Sequence, residues 1–72
     1  MALMVEVFKT DVRSIREAKL IVQKIGEEFP RHKINFDLSD RDKILRIQGN
    51  DVMERKIISI VTSLNHKCEI LE

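Results

Sequence analysis

A chain of 72 residues with 43% hydrophobic and 35% charged side chains, two Gly and one Pro has the make-up of one compact domain around a single small core (1–72), not of a disordered segment. Thirteen Lys plus Arg against twelve Asp plus Glu leave a formal net charge of +1 with the signs interleaved, so no broad field draws in nucleic acid or an anionic membrane. Three Phe with no Trp or Tyr offer little to stack on bases, and the lone Cys68 excludes an internal disulfide and suits a reducing, cytoplasmic setting.

The first residues, Met1-Ala2-Leu3-Met4-Val5, carry no basic start and meet Glu6 before an apolar leader segment develops, so no targeting signal is expected. No apolar run approaches the length of a membrane span. Leu3 to Lys9 is rich in apolar and β-branched residues with Val5 and Val7 in alternation, and is expected to be a strand.

From Ser14 the period changes. Ile15, Ala18, Val22, Ile25 and Phe29 recur at steps of three and four, which predicts a helix with these residues on its buried face. Ser14 and Glu17 make an S-x-x-E capping box, and Pro30 ends the helix. Ile34, Phe36 and Leu38 then alternate with Lys33, Asn35 and Asp37 in a second strand. Ser39-Asp40-Arg41-Asp42 has the chemistry of a turn, and Lys43 to Gln48 forms a third strand with Leu45 and Ile47 inward, giving an antiparallel hairpin.

Gly49-Asn50-Asp51 breaks that strand. Asp51 and Glu54 repeat the capping-box spacing ahead of a second helix whose stripe is Met53, Ile57, Ile60, Val61 and Leu64. Asn65-His66-Lys67 leads into a short final strand over Cys68-Glu69-Ile70-Leu71. The order β-α-β-β-α-β with right-handed crossovers predicts an α+β, ferredoxin-like sandwich: a four-stranded antiparallel sheet with two helices on one face.

These elements, with Ile34-Asn35-Phe36-Asp37-Leu38 and Ile44-Leu45-Arg46-Ile47 as the central hairpin, resemble the heavy-metal-associated (HMA) domain family over almost the whole chain. In that family an M-x-C-x-x-C motif at the first loop holds a soft ion such as Cu(I) between two thiolates. Aligned here, the motif falls on Val12-Arg13-Ser14-Ile15-Arg16-Glu17, and both cysteines are missing. A hydroxyl and a carboxylate do not replace thiolates for Cu(I). The resemblance thus implies the scaffold of a metal carrier without soft-metal binding.

The resemblance also implies that the loop before the last strand lies beside the first loop, bringing Glu17 and His66, with Asp11, to one end of the sheet. An imidazole with carboxylates suits Zn²⁺, whereas the simpler expectation is that Glu17 caps the helix and His66 is a partly exposed loop residue. Cys68, two residues from His66, is read as a small core hydrophobe rather than a nucleophile. Asp37, Ser39, Asp40 and Asp42 lack the Gly and final Glu of a calcium loop and are read as a solvated turn.

Arg31-His32-Lys33 is the one short basic run, but the hairpin strands have no RNA-recognition string. Two His and one Cys assemble no specific catalytic constellation, so no enzyme and no cofactor is expected. With Val5, Val7, Ile34, Phe36, Leu45 and Ile47 turned to the helices, Met4, Phe8, Ile44 and Leu71 fall on the open sheet face or its rim among Glu6, Lys33, Arg46 and Glu69. A bulge beside the loop would turn Phe8 inward. Such a surface implies a protein partner, or a homodimer through the sheet face. The expected function is a small non-enzymatic binding module acting through the sheet face or the Thr10 to Glu17 loop.

Overall fold

The computed structural model describes residues 3–71, so Met1 and Ala2 of the stretch read as lacking a leader lie outside the described residues. The elements follow in the order β1 (Met4–Thr10), α1 (Ile15–Glu28), β2 (Lys33–Asp37), β3 (Ile44–Gly49), α2 (Glu54–Ser63) and β4 (Cys68–Ile70). They form one four-stranded sheet in the order β2-β3-β1-β4, every neighbouring pair antiparallel. This is the α+β, ferredoxin-like βαββαβ arrangement. Helix α1 packs on β2, α2 on β4, and the helices touch each other. Among the described residues no helix is long and apolar enough to cross a membrane.

Register decides which side chains reach the core. Phe36 pairs with Leu45, Leu45 with Phe8, and Phe8 with Ile70, so one row crosses all four strands on a single face. Phe8, Leu45 and Ile47 on that face are fully buried against Ala18, Ile21 and Ile25 of α1 and Ile57 and Val61 of α2. The helix side of β1 therefore carries Glu6, Phe8 and Thr10. Val5 and Val7, expected to face the helices, stand on the opposite face, where they pair with Gln48 and Arg46. Val5 is 51% exposed.

Thr10, the last residue of β1, and Val12 just past it are buried along with Phe8, so the inward parity of the strand is the even one. No bulge is needed to bury Phe8. Ile44 pairs with Asp37 on the open face as expected, yet it is only 5% exposed.

The helices also shift within their predicted stripes. In α1 the buried residues are Ala18, Ile21 and Ile25, whereas Ile15 is 68% exposed and Val22 and Phe29 are half-buried. Ile15 opens the helix at its first turn and stands beside Phe36 and Leu38 at the margin of the core, not within it. In α2 Ile57 and Val61 are buried, while Met53 is exposed and acts as N-cap without a side-chain hydrogen bond. The Asp51 capping box is thus not formed. The helix starts at Glu54, and Val52 fills the core ahead of it.

Asp51 serves elsewhere, its carbonyl accepting a hydrogen bond from His32 Nε2 at 2.5 Å. The His32 ring lies so close to Gly49 that a Cβ there would stand 2.5 Å from His32 Cδ2, so Gly49 is required by close approach.

Candidate functional site

The β1–α1 loop is held at both ends. Thr10, buried at the end of β1, receives a bond on its Oγ1 from the Val12 N–H (3.2 Å) and donates its hydroxyl proton to the Lys43 carbonyl (2.6 Å). The Thr10 N–H donates to the Asp42 carbonyl (3.0 Å), which ties the loop to the β2–β3 turn. Val12 is fully buried beneath it. A loop pinned by three backbone-directed bonds and a core side chain presents its remaining polar residues in fixed positions.

Those residues are Asp11, Ser14 and Glu17. Ser14 is the N-cap of α1, its Oγ accepting from the Glu17 N–H at 3.3 Å, so the first half of the predicted capping box is present. The Glu17 carboxylate has turned to another partner. Its Oε2 lies 3.4 Å from His66 Nε2.

His66 arrives from the α2–β4 loop. Asn65, in the left-handed region at φ 69°, turns the chain out of α2, and the His66 N–H donates to the Val61 carbonyl at 3.3 Å. Asp11 Oδ1 then accepts from the Lys67 N–H (2.9 Å) and lies 3.0 Å from His66 Nδ1. The imidazole is 13% exposed, sandwiched between two carboxylates that are each about half exposed. The structure brings Asp11, Glu17 and His66 together at this end, as the resemblance implied. His66 is the partly exposed loop residue of the simpler expectation, and its contacts with Asp11 and Glu17 clasp the two loops together.

Burial works against the Asp11 charge, but the bond from the Lys67 N–H and then the bond and charge of His66 outweigh it, holding the carboxyl below its usual range. The Asp11 contact, donated by His66 Nδ1 at 3.0 Å, is a hydrogen bond, whereas the Glu17 contact at 3.4 Å is close proximity without hydrogen-bond alignment. The two carboxylates address opposite edges of the imidazole, so they do not converge on one point. This is the physical reason why, among the described residues, no group of three or more His, Cys, Asp or Glu is placed to hold a metal ion. An ion at His66 Nε2 would have Glu17 Oε2 alone as a second protein donor among the described residues.

Cys68 pairs with Thr10 on the helix face and packs, half-buried, against the core. Burial, assisted by the charge of Glu69, pushes its thiol up to about 12. It is a packing residue, as expected. Asp37, Ser39, Asp40 and Asp42 form two successive Asx turns, Asp37 accepting from Ser39 and Asp40 from Asp42, which spends these carboxylates on the turn itself. His32 of the basic run is spent on Asp51 and on packing against Phe29.

The anchoring bonds of Thr10 and the Lys67 N–H are parts of this site that the sequence reading missed. A Thr closing a strand of alternating residues was the available sign for the first, and a backbone donor leaves none for the second. Comparison with family models, with curated proteins and with solved structures found no match for the chain.

Proposed function

We propose that this chain is a small, non-enzymatic HMA-like binding module of the cytoplasm that has lost soft-metal binding and acts through protein interaction or regulation. The observation that carries the reading is the content of the loop end: Ser14 Oγ caps α1 and the Glu17 carboxylate contacts His66, so the positions aligned with two thiolates hold oxygen donors already engaged within the fold. Oxygen and imidazole donors do not compete for Cu(I) in a cell that offers thiolates. Each nitrogen of the one histidine at this end faces a carboxylate, which supports a structural clasp over a general base.

Titration of the reduced protein with Cu(I) against a strong chelator tests the reading. No transfer to the protein is expected, and competition with the chelator overturns it.

A second reading has its own observation. His66 Nε2 and Glu17 Oε2 at 3.4 Å, with Asp11 behind the ring, are the beginnings of a hard-metal site of the Zn²⁺ type. Two protein donors leave such a site open and weak. Calorimetry with Zn²⁺ on the wild type and His66→Ala decides it: heat lost on substitution supports this reading, and negligible heat in both ends it.

A further inference from the structure

Among the described residues strand β2 is an edge of the sheet, with β3 on one side and no strand on the other. It is five residues long, contains no Pro and no bulge in its pairing with β3, and is one of the two places where the sheet can be extended. Beside it, α1 and β2 flank an open apolar cleft of about 390 Å³ lined by Ile15, Ala18, Lys19, Val22, Phe36 and Leu38. Ile15, the most exposed of the large apolar residues, stands at this cleft.

The sequence of the edge is self-complementary. Lys33-Ile34-Asn35-Phe36-Asp37 has Asn35 at its centre, apolar residues one step to either side, and opposite charges two steps to either side. Laid antiparallel on a copy of itself about Asn35, Lys33 faces Asp37 of the second copy and Asp37 faces its Lys33. Ile34 likewise faces Phe36 of the second copy. The charged pairs and Asn35 fall on the open sheet face, whereas the apolar pairs fall on the helix face beside the cleft.

We propose that the partner of this edge is a second copy of the chain, joined β2 to β2 about a two-fold axis at Asn35 to make a continuous eight-stranded sheet. A two-fold contact needs a surface that complements itself, and a strand with Lys and Asp placed symmetrically about its centre meets that requirement in charge as well as in shape. The pairing closes after two chains, leaving only the three-residue β4 edges free. It brings the two α1/β2 clefts together, so that Ile15, Phe36 and Leu38 of each copy lose their remaining exposure to water. The Ser39 hydroxyl, then the Ser39 and Asp40 N–H groups and last the Arg46 charge hold the Asp37 carboxyl below its usual range, so the group that faces Lys33 of the second copy carries its charge while it also anchors the turn.

This inference goes beyond the proposed loss of soft-metal binding and is independent of it, because it uses neither the Asp11–His66–Glu17 clasp nor a metal. Sedimentation of the purified chain over a range of concentrations tests it. A reversible dimer is expected, weakened at least about tenfold by Lys33→Asp, which sets like charges opposite each other twice. The double swap Lys33→Asp with Asp37→Lys restores the dimer, since the pairs are re-formed with reversed sign.

Ile15→Glu, at an exposed site of the cleft, weakens the dimer, whereas Val5→Lys on the open face does not. Circular dichroism confirms that each variant is folded. If the double swap does not fold, the contrast between Ile15→Glu and Val5→Lys carries the test. A wild type that stays monomeric up to about 1 mM overturns the proposal. So does a dimer indifferent to Lys33→Asp, one not recovered by a folded double swap, or one broken by Val5→Lys and spared by Ile15→Glu.

Discussion

Replacing Phe8 by Ala tests which face of β1 meets the helices. Phe8 is fully buried in the row Phe36–Leu45–Phe8–Ile70, with α1 and α2 above it. Truncating a buried Phe removes its transfer free energy and leaves a cavity, together about 3 to 5 kcal/mol. A domain of this size has in total about 4 to 11 kcal/mol of stability, so the variant should be close to unfolding. With a urea slope of about 1 kcal/mol per molar, its midpoint falls by about 3 M or more. Phe8→Leu, which keeps most of the apolar volume, costs about 1 to 2 kcal/mol and stays measurable if the Ala variant does not fold. Val5→Ala, on the open face, stays within about 0.5 kcal/mol of the wild type. Equilibrium urea denaturation followed by circular dichroism reads all three. A near-neutral Phe8→Ala beside a Val5→Ala that costs more than about 2 kcal/mol would refute the register and return β1 to the opposite parity.

Gly49→Ala places a Cβ 2.5 Å from the His32 ring and should cost about 1 to 3 kcal/mol, measured by the same urea titration. His32→Ala in the same chain should recover part of that loss, and strict additivity of the two substitutions would refute the steric account. Because the Asp11 carboxyl is held below its usual range, its stabilising contribution is complete above that range and is lost as pH falls through the lowered value; Asp11→Asn should flatten this part of the acid limb in thermal melts. Glu6 works in the opposite sense, since burial and then the neighbouring Glu54 raise its carboxyl, so its protonation on acidification favours the fold and Glu6→Gln should steepen the acid loss. Cys68, with its thiol near 12, should alkylate far more slowly at pH 8 in the native protein than after denaturation, and equal rates would contradict its placement against the core.

The succession of elements could be read from the chain because period is a local property. Steps of three and four from Ser14 to Phe29 and alternation from Lys33 to Leu38 and from Lys43 to Gln48 each identify their backbone geometry without reference to the rest of the molecule. The Ser14 cap was legible for the same reason, since donor and acceptor lie three residues apart. Asp51 shows the limit of that reasoning. Its spacing to Glu54 is as good as that of Ser14 to Glu17, but Val52 is drawn into the core and His32 takes the Asp51 carbonyl, and the helix starts later.

What the sequence by itself determined is the βαββαβ order, the inward residues of β2 and β3, and the absence of thiolates at the first loop. Only the tertiary structure decided the face of β1, because Val5, Val7 and Phe8 are all apolar and parity was settled by Thr10 and Val12 at the far end of the strand. It also decided the role of Glu17. Its capping partner is three residues away in the chain, whereas His66 and Asp11, which are 55 residues apart, come together only when β4 pairs with β1. Such a clasp has no local signature, since its energy depends on distances that exist only after the sheet has formed.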